Sequence, residues 1–191
     1  MRKVAIFCLS LFITQFAIAH DAQKDISQLS SWLEPKLACN TGGCSTRLNA
    51  GVAVKFTEKI GAYGFAQNIA QSGAKPYQQA YGGLTFAPTS KFQFGLGVGR
   101  DSESAAIKNL LAVYNSGSLS FFGNIERGGT PYEKVVVMSR GSSLRFGAVH
   151  ESTFGTGPII DYRITRNVSG AMSVQVKNHL PTAVIAVNVS F

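Results

Sequence analysis

Charge, proline and long apolar runs are all scarce in this 191-residue chain, and each shortage removes a class of protein. Lys, Arg, Asp and Glu make up only 15% of the residues against 45% apolar, a balance that excludes a disordered chain and a long solvated coiled coil. The 6 prolines and 20 glycines follow no three-residue period, which excludes a collagen-like chain. The lone long apolar run, Val4 to Ala19, is broken by Ser10 and Gln15 and lies at the N-terminus, so no stack of membrane helices and no helical transporter can be built. Cys8, Cys39 and Cys44 have no further Cys or His close by, which leaves a zinc site two ligands short. No glycine-rich loop has a phosphate-binding context, and no cofactor or metal is expected. The length fits one compact domain.

Positive charge is what the sequence has in excess: 18 Lys+Arg against 10 Asp+Glu gives +8. Met1-Arg2-Lys3 is a basic leader, Val4 to Phe16 an apolar stretch and Ala17-Ile18-Ala19 a small-x-small cleavage site. Residues 1–19 therefore read as a secretory signal peptide whose removal leaves 8 − 2 = +6 on a mature chain starting at His20. In the oxidising space such a signal implies, Cys39 and Cys44 around a glycine-containing turn are expected to form a disulfide. The absence of Lys/Arg blocks in an exported chain argues against nucleic acid as a partner. Lys24 to Leu33 places Ile26, Leu29 and Leu33 at helical spacing before Pro35, so a short amphipathic helix is expected within a leader spanning 20–37.

From Arg47 onward the chain divides into short segments about 13–14 residues apart that alternate with the period of a strand. Phe92, Phe94, Leu96 and Val98 fall on one face and Lys91, Gln93, Gly95 and Gly97 on the other. Ile160, Tyr162 and Ile164 oppose Asp161 and Arg163, and Met172, Val174 and Val176 oppose Ser173, Gln175 and Lys177. Tight connections at 57–59, 87–90, 115–118, 140–143 and 166–169 are expected to alternate with looser ones at 71–76, 100–104, 127–132, 150–157 and 179–182. Such alternation suits a membrane barrel better than a sandwich with Greek-key crossovers.

The last segment, Ala186-Val187-Asn188-Val189-Ser190-Phe191, is amphipathic and ends on an aromatic residue. With Val187, Val189 and Phe191 so placed behind a secretory signal, the chain resembles Gram-negative outer-membrane β-barrel proteins. The resemblance implies an outer-membrane location, passage through the periplasm, and insertion by the outer-membrane assembly machinery, with Val187, Val189 and Phe191 as assembly signal. The expected fold is all-β: an antiparallel transmembrane β-barrel over 38–191, with twelve strands or alternatively ten, and a first strand near Pro35 to Cys39.

A membrane barrel turns its polar faces inward. The lumen is thus expected to carry Lys55, Lys91, Lys108, Glu126, Asp161, Arg163 and Lys177, more cations than anions, and to pass small anionic solutes through a monomer. The competing reading has these charges paired across the interior, giving a non-conducting structural or surface-interaction barrel. Arg127, Arg140, Arg166 and Lys59 fall near turns, where outer-membrane lipid and lipopolysaccharide supply phosphates. Tyr63, Tyr77, Tyr114, Tyr132 and Phe154 are expected to form an interfacial girdle. His150-Glu151-Ser152 resembles, in residue types alone, the catalytic group of outer-membrane lipid A deacylases, with Glu151 or Asp161 as the acid. No wider motif accompanies it, so it reads as a polar loop, no catalytic residue is assigned, and the chain is not expected to be an enzyme.

Overall fold

The computed structural model describes residues 29–191 apart from positions 72, 104, 130 and 142. The signal peptide expected over residues 1–19 and the part of the expected leader up to residue 28 lie outside the described residues. Twelve antiparallel strands close into one barrel in sequence order: β1 (Leu29–Asn40), β2 (Gly43–Lys55), β3 (Ile60–Gln71), β4 (Tyr77–Thr89), β5 (Phe92–Asp101), β6 (Ala106–Asn115), β7 (Leu119–Arg127), β8 (Tyr132–Ser139), β9 (Leu144–Glu151), β10 (Gly155–Arg163), β11 (Val168–Lys177) and β12 (Leu180–Ser190). Closure comes from β1 pairing with β12, with Trp32 opposite Ser190 and Cys39 opposite Ala183, so no strand is left with an open edge.

The helix expected over Lys24 to Leu33 is not found in the described part, where Leu29 to Leu33 already belong to β1. Local spacing lost to pairing, because β1 is held on both sides, by β2 from Leu29 onward and by β12 from Trp32. Hydrogen bonds of that extent outweigh a weak helical propensity over a few residues. The barrel accordingly takes in residues that the sequence assigned to the leader.

The expected contrast between tight and loose connections is also absent. Connections at the rim that carries both ends of the barrel span 56–59, 90–91, 116–118, 140–143 and 164–167, and those at the far rim 41–42, 72–76, 102–105, 128–131, 152–154 and 178–179. The apparent loop 150–157 shrinks because Gly155 and Gly157 continue β10. A Cβ at either glycine would lie within 2.0 Å of a β11 carbonyl oxygen, Val176 and Val174 respectively. Gly157 marks close strand approach, and Gly155 combines it with a positive φ of 100° at the end of the 152–154 turn.

The distribution of side chains is inside out. Leu84, Leu96, Val98, Phe146, Tyr162, Met172 and Val174 stand on the outer surface, whereas Glu34, Lys36, Arg47, Gln67, Gln79, Glu126, Glu151, Asp161 and Gln175 are buried within. An outward aromatic belt exists at the rim of the chain ends, but Phe86, Phe92, Phe146 and Tyr162 join Tyr114 in it. Tyr63, Tyr77, Tyr132 and Phe154, expected there too, turn inward instead. Tyr63 faces Gly95 and Gly97 of β5: a Cβ at Gly97 would sit 2.5 Å from its hydroxyl. Large and small side chains thus fill the lumen jointly, a complementarity across strands that one strand's alternation does not disclose.

Candidate functional site: a pinched, charge-lined lumen

Two vestibules open at opposite rims. The one at the rim of the chain ends encloses about 980 Å³ and is lined by Lys55, Lys59, Lys91, Glu58, Gln93 and Asn115 among others. The far one encloses about 400 Å³ under the β1–β2 hairpin and the 128–131 and 152–154 connections, with Arg47, Gln67, Gln79, Tyr132 and Phe154 in its wall. The hairpin is stapled by the Cys39–Cys44 disulfide, whose residues face each other in register.

Between the vestibules, side chains from strands far apart in the ring meet. Lys36 Nζ donates to Glu151 Oε1 at 2.8 Å and lies 3.9 Å from Glu34, while Lys134 Nζ reaches Glu34 Oε1 at 3.5 Å. β1, which carries Glu34 and Lys36, stands five places from β8 and four from β9 in the twelve-strand order, so these contacts bridge the lumen. Arg47 of β2 adds a second contact to Glu151 at 3.5 Å, and its guanidinium lies over the Phe154 ring, 4.4 Å from the centroid. Tyr132 also donates to Glu151, at 3.2 Å.

A hydrogen-bond relay runs from this group along the wall. Asn49 donates to Glu34 at 2.6 Å, Gln67 to Asn49 at 2.8 Å, and Gln79 both to Gln67 at 3.3 Å and to Glu126 at 2.8 Å. Glu126, 1% exposed, further accepts from Tyr81 at 2.9 Å and Asn124 at 2.8 Å. Trp32, Phe65 and Tyr81 form an aromatic row beside it, Phe65 and Tyr81 stacked at 4.8 Å. Nearer the rim of the chain ends, Asp161 takes Arg145 and the Ser169 hydroxyl. Buried carboxylates are tolerable only with such partners, and each here has at least two.

The residues expected to line the lumen divide by place. Glu126 and Asp161 are buried inside it. Lys55 and Lys91 stand at the mouth of the larger vestibule. Arg163 and Lys177 occupy inward-facing positions at opposite strand ends and are exposed, Lys177 reaching the Ser152 carbonyl. Lys108 is not in the lumen: Ile107 and Asn109 are the buried neighbours, and Lys108 shares the outward face with Leu110. The apolar face of β6 contains a buried Ile107, which shifts the alternation that the sequence appeared to follow.

Sequence reasoning missed Glu34, Lys36, Arg47, Lys134, Arg145 and Glu151. Glu34 and Lys36 lay in the supposed leader, Lys134 in a segment that hardly alternates, and Glu151 in a supposed loop. The available signals were the two-residue spacing of Trp32, Glu34 and Lys36, and that of Arg47 with Asn49. With these residues included, the interior is no longer basic. Lys36, Arg47, Lys134 and Arg145 face Glu34, Asp101, Glu126, Glu151 and Asp161, four cations against five carboxylates among the described inward positions that are buried or half-buried, while Lys55, Arg163 and Lys177 are inward but exposed at strand ends. The surplus of positive charge sits at the rims and on the exterior.

His150, Ser152 and an acid do not assemble. His150 faces outward with Nδ1 2.8 Å from the Thr156 hydroxyl, Ser152 Oγ accepts from the Glu133 amide at 3.0 Å, and Asp161 and Glu151 are committed to the lumen. Among the described residues no group of three or more His, Cys, Asp and Glu is arranged to hold a metal ion.

A closed antiparallel ring with apolar residues outside and a hydrogen-bonded ionic interior is the architecture of transmembrane β-barrels. No protein-family model and no curated protein sequence matches the chain. Among solved structures it is similar to KdgM porin, alone and in complex with disordered oligogalacturonate. TM-scores are 0.60, identities 12% and 13%, and each match covers 84% of this chain and 99% of the porin. At that identity the likeness is one of fold: this is a porin-like twelve-strand barrel.

Proposed function

We propose that the chain is a monomeric outer-membrane β-barrel that passes small hydrophilic solutes through a narrow lumen. The observation that carries this reading is the pair of vestibules opening at opposite rims onto one ionic interior. The barrel's ends and the aromatic belt suit a periplasmic rim, which puts the stapled hairpin on the cell surface. Anion bias arises at the mouth, not the middle. Lys55, Lys59 and Lys91 outnumber Glu58 in the larger vestibule and raise the local anion concentration, while the balanced centre discriminates little. Val187, Val189 and Phe191 serve assembly by the outer-membrane machinery. Acidic oligosaccharide, which one similar porin holds, fits the cationic mouth in chemical class.

The ion pairs that bridge the lumen favour a second reading, a barrel closed at its centre that serves a structural role. Planar-bilayer recording separates the two. Discrete current steps and a reversal potential of anionic sign in a KCl gradient are expected. A preparation that migrates as a folded, heat-modifiable barrel yet gives no steps overturns conduction.

A further inference from the structure

We infer that the outer face of β5 to β8, at the far rim, is a binding site for the phosphate groups of an outer-leaflet glycolipid, held by Arg100, Lys108 and Arg127. Along all twelve strands the outward-facing described positions carry only four charged side chains, and all four fall in this sector: Arg100, Lys108, Arg127 and Glu133. They sit within the last three residues of their strands at one rim. Elsewhere the outward strand faces are apolar or neutral. A random scatter of solvated lysines and arginines would have no reason to avoid eight of the twelve strands.

The arrangement within the cluster points to an anion. Lys108 lies directly across from Arg127, a like-charge cross-strand pair that is destabilising unless something neutralises it. Arg100 is diagonal to Lys108, through the pairs Arg100 with Ala106 and Val98 with Lys108. Only Arg127 has a carboxylate partner, Glu133. Arg100 and Lys108 make no side-chain hydrogen bond or ion pair among the described residues. Two unpaired cations and one singly paired arginine form a fork suited to phosphate, whose several oxygens accept from more than one donor.

Directly toward the barrel's middle, the same outward faces continue as Leu96, Val98, Leu110 and Ile125. A phosphorylated lipid fits both halves: its headgroup meets the cations and its acyl chains lie along these side chains. A free phosphate fits only the first. Cations on a lipid-facing surface are tolerated near the interface, where headgroup phosphates lie, and disfavoured deeper. The cluster also accounts for Lys108, which has no role in the lumen.

The inference rests on the outer-membrane reading above, and the two fail differently. Full-length barrel is extracted from outer membranes in mild detergent and titrated, by native mass spectrometry, with bis-phosphorylated lipid A and with the same lipid stripped of both phosphates. At least tenfold tighter retention of the phosphorylated lipid is expected on the unaltered protein, and millimolar inorganic phosphate should not displace it. Arg100→Gln, Lys108→Gln and Arg127→Gln together should remove that preference, and Lys108→Leu alone should weaken it several-fold in a barrel that still migrates as folded. Equal binding of the two lipids, displacement by inorganic phosphate, or an unchanged preference in the folded triple variant overturns the site. Recovery of the unaltered protein in soluble periplasm instead overturns the membrane reading itself.

Discussion

Replacing Glu151 with glutamine tests both the stability and the transport side of the lumen. The Glu151 carboxylate, 2% exposed, binds Lys36 at 2.8 Å, Arg47 at 3.5 Å and the Tyr132 hydroxyl at 3.2 Å. In the central group, Lys36, Arg47 and Lys134 against Glu34 and Glu151 give 3 − 2 = +1; Glu151→Gln makes it 3 − 1 = +2. Removing one partner of a buried pair costs about 3–5 kcal/mol. Glutamine keeps the shape and one acceptor oxygen, and a lumen can admit water, so the lower end, about 3 kcal/mol, is expected. With a urea slope of about 1–3 kcal/mol/M, the midpoint should fall by roughly 1–3 M. Urea unfolding in detergent, followed by heat-modifiable migration and by fluorescence of the single tryptophan, measures it. In bilayers the same variant should move the reversal potential further toward anions, because a cation-attracting carboxylate has left the layer where ion pairs bridge the lumen. A midpoint unchanged within a few tenths of a molar, with an unchanged reversal potential, would refute the bridging role given to Glu151.

Two further changes probe other parts of the barrel. Leu96→Arg puts a charge on the outer face near the middle of β5, where Leu96 is 63% exposed. In a bilayer this should cost about 2–4 kcal/mol and reduce outer-membrane recovery, and a variant recovered and folded like the parent in vesicles contradicts the lipid-facing assignment. Cys39→Ser with Cys44→Ser removes the hairpin staple; for so short a loop the chain-entropy cost is about 2 kcal/mol, read as a lower unfolding midpoint. If the midpoint of the unaltered protein does not respond to reductant, the disulfide contributes nothing to stability.

Much of the fold was legible because a strand records its two environments in alternate residues. β11 and β12 show this cleanly: Met172, Val174 and Ile185 face out, Ser173, Gln175 and Val184 face in, and each lies where alternation put it. Legibility failed where one face carried the opposite chemistry for a packing reason. The inward faces of β3 and β4 hold Tyr63, Phe65 and Tyr81, which pack on one another, with Tyr63 and Tyr81 also against glycines of β5. Those aromatics look lipid-facing when each strand is read singly. Ile107 on the inside of β6 sent Lys108 outward in the same manner.

By itself the sequence determined the period-two alternation and the proximity of Cys39 to Cys44, since each is encoded within a dozen neighbouring residues, while it left the strand number between twelve and ten. Only the tertiary structure decided which charges meet. Glu34 and Lys134 are separated by a hundred residues and by five strand positions around the ring, and nothing local to either predicts a 3.5 Å contact. Closure of the barrel, a property of the whole ring, brings opposite walls together. It thereby turned an apparent stripe of inward cations into a balanced interior and left the positive surplus for the rims and the outer face.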